Sequence, residues 1–290
     1  FYNGLTHFEL DDHFKTRFSL PNKKMWFISH HYAHSLSGWM LCDKPDISII
    51  MDGSGDHSSW SIYSDDMLIG RAEPHWHSIG RNMSGIGHLF GLPSPPNEPL
   101  DVAGKVMGLQ SYGNIDKGFL QHLSQYGIDR VDNLFDTAEW YDYKGDPSLA
   151  QSTLLDWVRT LHERIGDLLV EFFGNYANKD DIIFYSGGVA QNVVWNTKLK
   201  KAFPKLIVPP HSIDDGLTLG GIEFLRRKNG LPKLNLPNFP YCQSDVAPKG
   251  EPSNETIEKV AKLLADGKVV GDRKSTRLNS SHTDISRMPS

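Results

Sequence analysis

Ser29-His30-His31-Tyr32-Ala33-His34-Ser35 places two imidazoles, His30 and His34, four residues apart. On a helix over residues 29–40 that spacing puts both rings on one face, where they can share a metal ion, while His31 points elsewhere. Two imidazoles seldom hold a metal alone, so carboxylates must come from other elements. Asp52 of Asp52-Gly53 and Asp214 of Asp214-Asp215-Gly216 each sit where an apolar stretch gives way to a glycine-containing turn. On spacing alone a histidine-rich helix start is equally compatible with plain polar surface. Asp214 and Asp215 are neighbours, and local sequence leaves open which one turns inward.

A second centre of chemistry is Ser186-Gly187-Gly188-Val189-Ala190-Gln191-Asn192, which follows the apolar run Ile182-Ile183-Phe184-Tyr185. This reads as a strand, a Gly-Gly turn and a helix start, where backbone N–H groups and the positive helix end can face a phosphate without Cβ interference. The Asn192 amide can bond a ribose or base. A tight strand-to-helix turn also wants glycine for geometry alone. Lys105 stands among small residues in Asp101-Val102-Ala103-Gly104-Lys105-Val106-Met107-Gly108-Leu109, where an ammonium can pair with phosphate or simply face solvent. His75, His77 and His88 read as ordinary polar residues.

The elements that must position these groups follow from hydrophobic periodicity. Met25–Ile28 is a short strand that delivers the chain to the histidine helix, with Ser29 as N-cap. Asp46–Met51 is a buried strand, and 59–63 with 67–70 form a hairpin around Ser64-Asp65-Asp66. Helical pieces are expected near Ser84–Leu92 and Leu100–Ser111, separated by Pro93-Ser94-Pro95-Pro96. Residues 152–176 carry a three-to-four spacing of Leu154, Val158, Leu161, Ile165, Leu168, Phe172 and Tyr176, a long amphipathic helix. Leu206-Ile207-Val208 reads as a strand and Gly216 to about Lys228 as a helix, which completes a parallel-type α/β layer. Residues 1–24 read as a broken strand or loop.

The chain has 290 residues, 39% of them hydrophobic and 22% charged, a globular composition with material for a sizeable core. Its net charge of −5 offers no general attraction for nucleic acid. Two cysteines, Cys42 and Cys242, build no disulfide framework and suit a reducing cytoplasm. No apolar run approaches the roughly 20 residues of a membrane helix. Domain boundaries are expected at 1–230 for a main domain, 231–254 for a proline-rich linker, and 255–271 for the start of a second small α/β domain. That start comprises a helix over Thr256–Ala265 and a strand over Gly267–Gly271. Residues 272–290 are polar and without period, and read as a non-native tail.

His30-x-x-x-His34, Ser186-Gly187-Gly188-Val189-Ala190-x-Asn192 and Asp214-x-Gly216, with Lys105-Val106-Met107-Gly108-Leu109-x-Ser111-Tyr112-Gly113, resemble in this order the O-carbamoyltransferase family of nodulation-factor and antibiotic-tailoring enzymes. The resemblance spans roughly residues 25–230. It implies an actin and sugar-kinase-like α/β fold of duplicated ribonuclease-H-like halves, similar to the tRNA threonylcarbamoyl-transferase domain. It further implies an enzyme that uses carbamoyl phosphate and ATP to make carbamoyl-adenylate, then transfers the carbamoyl group to a hydroxyl of a small-molecule acceptor. No nucleic acid or membrane partner is expected. By the same resemblance His30, His34, Asp52 and Asp214 are metal ligands, with iron the expected metal, and His30, His34 and Asp52 carry the chemistry. Lys105, Gly187, Gly188 and Asn192 lie beside the nucleotide, and Asp214 is preferred over Asp215. The family's first strand and acidic phosphate loop would precede Phe1, and its carbamoyl-activating domain would continue past Gly271. An N-terminally incomplete chain of this extent is expected to be inactive alone. A tRNA threonylcarbamoyl transferase and a non-catalytic actin-like nucleotide-binding module are the alternative functions.

Overall fold

The computed structural model describes residues 6–17, 24–42, 44–56, 58–72, 78–89, 101–126, 153–234 and 252–268. Strands β1 (His7–Glu9) and β2 (Trp26–Ile28) pair antiparallel, His7 opposite Ile28, around helix α1 (Asp12–Arg17). Helix α2 (His30–Ser37) follows at once and tightens into a 3-10 turn over Gly38–Met40. Strands β3 (Ile47–Gly55), β4 (Ser58–Ser64) and β5 (Met67–Arg71) then form an antiparallel meander. The turn between β4 and β5 places Asp65 and Asp66 at φ 49° and 66°, the left-handed conformation that matches a two-residue hairpin to strand twist. Both aspartates are anchored, Asp65 to Lys44 and Asp66 to Arg227.

Among the described residues, helices α3 (Ile79–Leu89), α4 (Asp101–Leu109), α5 (Lys117–Tyr126) and α6 (Leu154–Gly174) precede β6 (Ile183–Ser186). Helix α6 starts in a capping box: the Thr153 side chain accepts from the Asp156 N–H while the Asp156 carboxylate accepts from the Thr153 N–H. After β6 come a 3-10 turn over Gly188–Gln191, α7 (Val193–Ala202), a second 3-10 turn over Asp214–Gly216, and α8 (Leu217–Lys228).

The sheet order is β5-β4-β3-β6, with β6 parallel to β3 from Ile47 opposite Ile183 to Ile50 opposite Ser186. Beyond β6, the strand expected at 206–208 shrinks to one parallel bridge between Phe184 and Ile207. An antiparallel meander joined to a parallel strand in this order is the arrangement expected of one ribonuclease-H-like half. Among the described residues there is one such sheet.

Alternation along β3 explains why it reads as a continuous apolar run. Ile47, Ile49 and Met51 face a core with residues of α3 to α7, while Ile50 joins Tyr32, Leu36, Tyr63, Phe184 and Phe224 on the α2 and α8 side. A strand buried on both faces carries no polar alternation to read.

The chain divides into two units, Phe1–Asn235 and Leu236–Ser290. Among the described residues of the second unit is α9 (Asn254–Ala265), capped by Ser253 through the Thr256 N–H. Most of the expected linker, the strand over 269–271, the Pro93–Pro96 break and the tail 272–290 lie outside the described residues, as do His75, His77 and the side chain of His88.

Candidate functional site

Helix α2 presents His30 and His34 with ring centroids 5.0 Å apart. Its start departs from the sequence reading. Ser29 occupies the N-cap position but makes no capping bond, and the carboxylate of Asp56 accepts the His30 backbone N–H instead. The expected cap is local, whereas the observed one comes from the end of β3. Gly55 beside it leaves room for the rings: a Cβ there would stand 2.6 Å from His30 Cδ2 and 2.5 Å from His31 Cδ2.

Asp52 lies where the β3–β4 register breaks between Met51 and Gly55, an irregularity of the kind that re-aims side chains out of a ladder. Its Oδ2 stands 3.1 Å from His30 Nε2 and 3.5 Å from His34 Nε2, and its Oδ1 accepts the Gly53 N–H at 2.6 Å. Ser78 Oγ, at the start of α3, donates to the Asp52 carbonyl at 2.7 Å. Asp214 enters from the turn before α8, its Oδ1 3.4 Å from His30 Nε2 and 3.5 Å from His34 Nε2. The approach of α8 depends on Gly220, where any Cβ would collide with the Ala33 carbonyl of α2. Asp214, and not its neighbour Asp215, is thus the acid brought to the histidines.

One ligand atom from each of His30, His34, Asp52 and Asp214 lies within 4.8 Å of every other. His34 is fully buried while the Asp214 side chain is two-thirds exposed, so the cluster opens to solvent on the Asp214 side. Burial opposes charge on Asp52, yet the His30 and His34 rings hold its carboxyl below the usual range. The nearby His34 ring, with His30 adding to it, lowers the Asp214 pKa. Burial pulls His34 down, but the two carboxylates outweigh it and raise its pKa. His34 Nε2 is buried without a hydrogen-bond partner although two carboxylate oxygens lie at 3.5 Å. An orphaned ring nitrogen facing two acids fits a shared cation better than a direct hydrogen bond. His31 turns to β4, with Nδ1 2.7 Å from Ser61 Oγ, and burial drives its pKa down to about 3.

The Gly-Gly turn borders the cluster. Gly187 has φ +97°, a conformation L side chains rarely adopt, and a Cβ there would collide with the Met51 carbonyl oxygen. A Cβ on Gly188 would stand 3.0 Å from Asp52 Oδ1. No α-helix starts directly at the glycines: the 3-10 turn intervenes, and α7 begins at Val193 with Asn192 Oδ1 accepting the Trp195 N–H. Asn192 Nδ2 lies 2.9 Å from Nε2 of buried His162, which stacks on Trp195 with centroids 4.5 Å apart. Both polar ends of the Asn192 side chain are therefore engaged inside the protein, where they fix the turn. Lys105 lies on the exposed side of α4, whose Val102 and Val106 face the core. Gly55, Asp56 and His162 carried no local sequence signal, because each acts through a contact made only on folding.

Residues 9–222 match the family described as carbamoyltransferase N-terminus. The chain belongs to this family. An uncharacterized protein of Methanocaldococcus jannaschii is 28% identical to this chain over 271 residues, 86% of the chain and 49% of that protein. The chain thus spans about half the length of that curated relative. Among solved structures, HypF of T. kodakarensis aligns with TM-score 0.47 and 15% identity over 71% of this chain and 37% of that one. The component A of the Acidaminococcus fermentans (R)-2-hydroxyglutaryl-CoA dehydratase aligns with TM-score 0.46 and 12% identity over 74% and 73%. Family membership rests on the sequence match.

Proposed function

We propose that this segment is the transfer domain of an ATP-dependent O-carbamoyltransferase, in which a carbamoyl group passes from carbamoyl-adenylate to a hydroxyl of a small-molecule acceptor. The observation that carries the reading is the convergence of two imidazoles and two carboxylates from α2, β3 and the turn before α8, next to the Gly187-Gly188 turn, in a chain of this family.

His30, His34, Asp52 and Asp214 would hold a divalent metal, with iron the leading candidate for a mixed imidazole and carboxylate set. When bound there, such an ion supplies Lewis acidity toward a carbamoyl or phosphate oxygen. The protein's own contribution is placement. Asp56 caps the helix that carries both rings, Gly55 leaves room for the His30 ring, and the register break in β3 aims Asp52 at His30 and His34. The Gly187-Gly188 turn beside the cluster is the candidate approach for a phosphate, and Lys105 is the candidate ammonium for the nucleotide. Asn192 and His162 hold the turn from beneath. In the transfer, the acceptor oxygen bonds to the carbamoyl carbon, AMP leaves with the bonding pair of the broken C–O bond, and the acceptor's proton passes to solvent.

The test uses the full-length parent protein. It is expected to bind a divalent metal, to consume carbamoyl phosphate and ATP in the presence of a hydroxylated acceptor, and to leave tRNA without threonylcarbamoyl transfer. Loss of both metal and transfer in His30→Ala and His34→Ala supports the reading. Nucleotide binding with no metal in the wild type, or threonylcarbamoyl transfer to tRNA, overturns it.

A further inference from the structure

Ser186, the last residue of β6, is fully buried and pairs in register with Ile50, two residues before Asp52. Its Oγ stands 3.4 Å from His34 Nδ1 and 3.4 Å from the Ser212 carbonyl oxygen. The Gly187 N–H donates to that same carbonyl at 2.9 Å. One residue therefore touches the ring of one candidate ligand and the backbone two positions before another, at the entry to the Gly-Gly turn.

The direction of these hydrogen bonds follows from what each partner can do. A carbonyl oxygen only accepts, so the single hydroxyl proton of Ser186 goes to Ser212. The oxygen then has lone pairs to accept a proton from His34 Nδ1. A ring protonated at Nδ1 carries its lone pair on Nε2, the atom that faces Asp52 and Asp214 without a hydrogen-bond partner of its own. Which ring nitrogen can serve as a ligand is set by the hydrogen bond the other one makes.

We propose that Ser186 is a positioning residue for the metal centre: its hydroxyl presents His34 Nε2 as a ligand and ties the Asp214 turn to the same strand end through Ser212. This rests on the metal-binding reading of the cluster. The role is unlike that of Ser37, whose Oγ donates to the His34 backbone carbonyl at 2.7 Å.

The experiment titrates Co(II) into the 290-residue chain and follows the visible absorption of the bound ion in wild type, Ser186→Ala and Ser37→Ala, with thermal unfolding of each metal-free protein alongside. Ser186→Ala is expected to weaken Co(II) binding by about 10- to 100-fold, the usual cost of losing a hydrogen bond behind a histidine ligand, and to alter the absorption spectrum. Ser37→Ala is expected to lower thermal stability while keeping wild-type affinity and spectrum. In the Zn(II)-loaded wild type, nitrogen NMR of His34 is expected to show the ring proton on Nδ1. Wild-type affinity and spectrum in Ser186→Ala overturns the Ser186 assignment and leaves the metal centre standing, whereas a ring proton on Nε2 overturns the assignment and removes His34 Nε2 from the ligand set. A wild type that binds no Co(II) overturns both.

Discussion

The carboxylate of Asp56 accepts the backbone N–H of His30, 26 residues earlier in the chain. The end of β3 thereby caps the helix that carries both candidate histidine ligands, and the same strand supplies Asp52. Asp56→Ala is expected to cost about 0.5–2 kcal/mol for the lost cap, with a further ~1 kcal/mol because Asp56 has φ 49°. Asp56→Asn, which keeps an acceptor and tolerates that conformation, should lose much less. Urea unfolding of the metal-free variants measures both.

Gly55 is the contact surface of the His30 and His31 rings. Gly55→Ala is expected to displace at least one ring at a cost of about 1–3 kcal/mol, the range for overpacking a filled site, and to abolish Co(II) binding. Titration of the folded variant with Co(II) checks this, and wild-type affinity would show that the rings have room to move.

His162 provides a pH signature away from the cluster. Burial, with Arg159 adding to it, lowers its pKa from 6.5 to about 3. The unfolded chain therefore binds the proton more tightly than the folded one between those values. The sign is fixed: stability is fully present above about pH 6.5 and is lost as pH falls toward 3, by up to about 1.4 kcal/mol per pH unit for each such histidine. His31, lowered in the same way to about 3, adds a second contribution of the same sign. His162→Gln is expected to remove one proton's share of this slope, which chemical denaturation of the metal-free protein at several pH values between 4 and 7 will read.

Glu223 is buried on α8 and accepts from both Arg226 and Arg227. Arg227 also bonds Asp66 in the β4–β5 turn at 2.5 Å and lies 3.6 Å from the Trp39 ring centroid. Glu223→Ala leaves both guanidinium groups without this partner and is expected to cost about 3 kcal/mol, at the low end for breaking a buried pair because both arginines keep some solvent contact. Thermal unfolding tests the size. Because α8 also carries the Asp214 turn against α2, weaker metal binding should accompany the loss.

Much of the architecture was legible because it depends on period and punctuation. The three-to-four spacing of Val158, Leu161, Ile165, Leu168 and Phe172 gave α6 within two residues at each end, since a helix must bury one stripe. The apolar run before Asp52 gave β3, and Ser64-Asp65-Asp66 gave the hairpin. Readings that assumed local completion fared worse. Ser29 left the capping bond to Asp56, Ser84–Leu92 became a helix starting at Ile79, and the helix expected at the glycines waited until Asn192 could cap it. In each case a residue distant in sequence, or a turn too short to show a period, decided the boundary.

The sequence by itself determined the donor types, their order and the elements that carry them: two imidazoles one helical turn apart, an acid at a strand end, a Gly-Gly turn and an acid before a helix. Those follow from side-chain chemistry and from the repeat lengths of helix and strand, which are local. Only the tertiary structure decided that Asp214 rather than Asp215 meets the histidines, that Asn192 turns inward to His162, and that Ser186 and Asp56 stand behind the cluster. These are contacts between chain segments tens of residues apart, and packing alone brings them together.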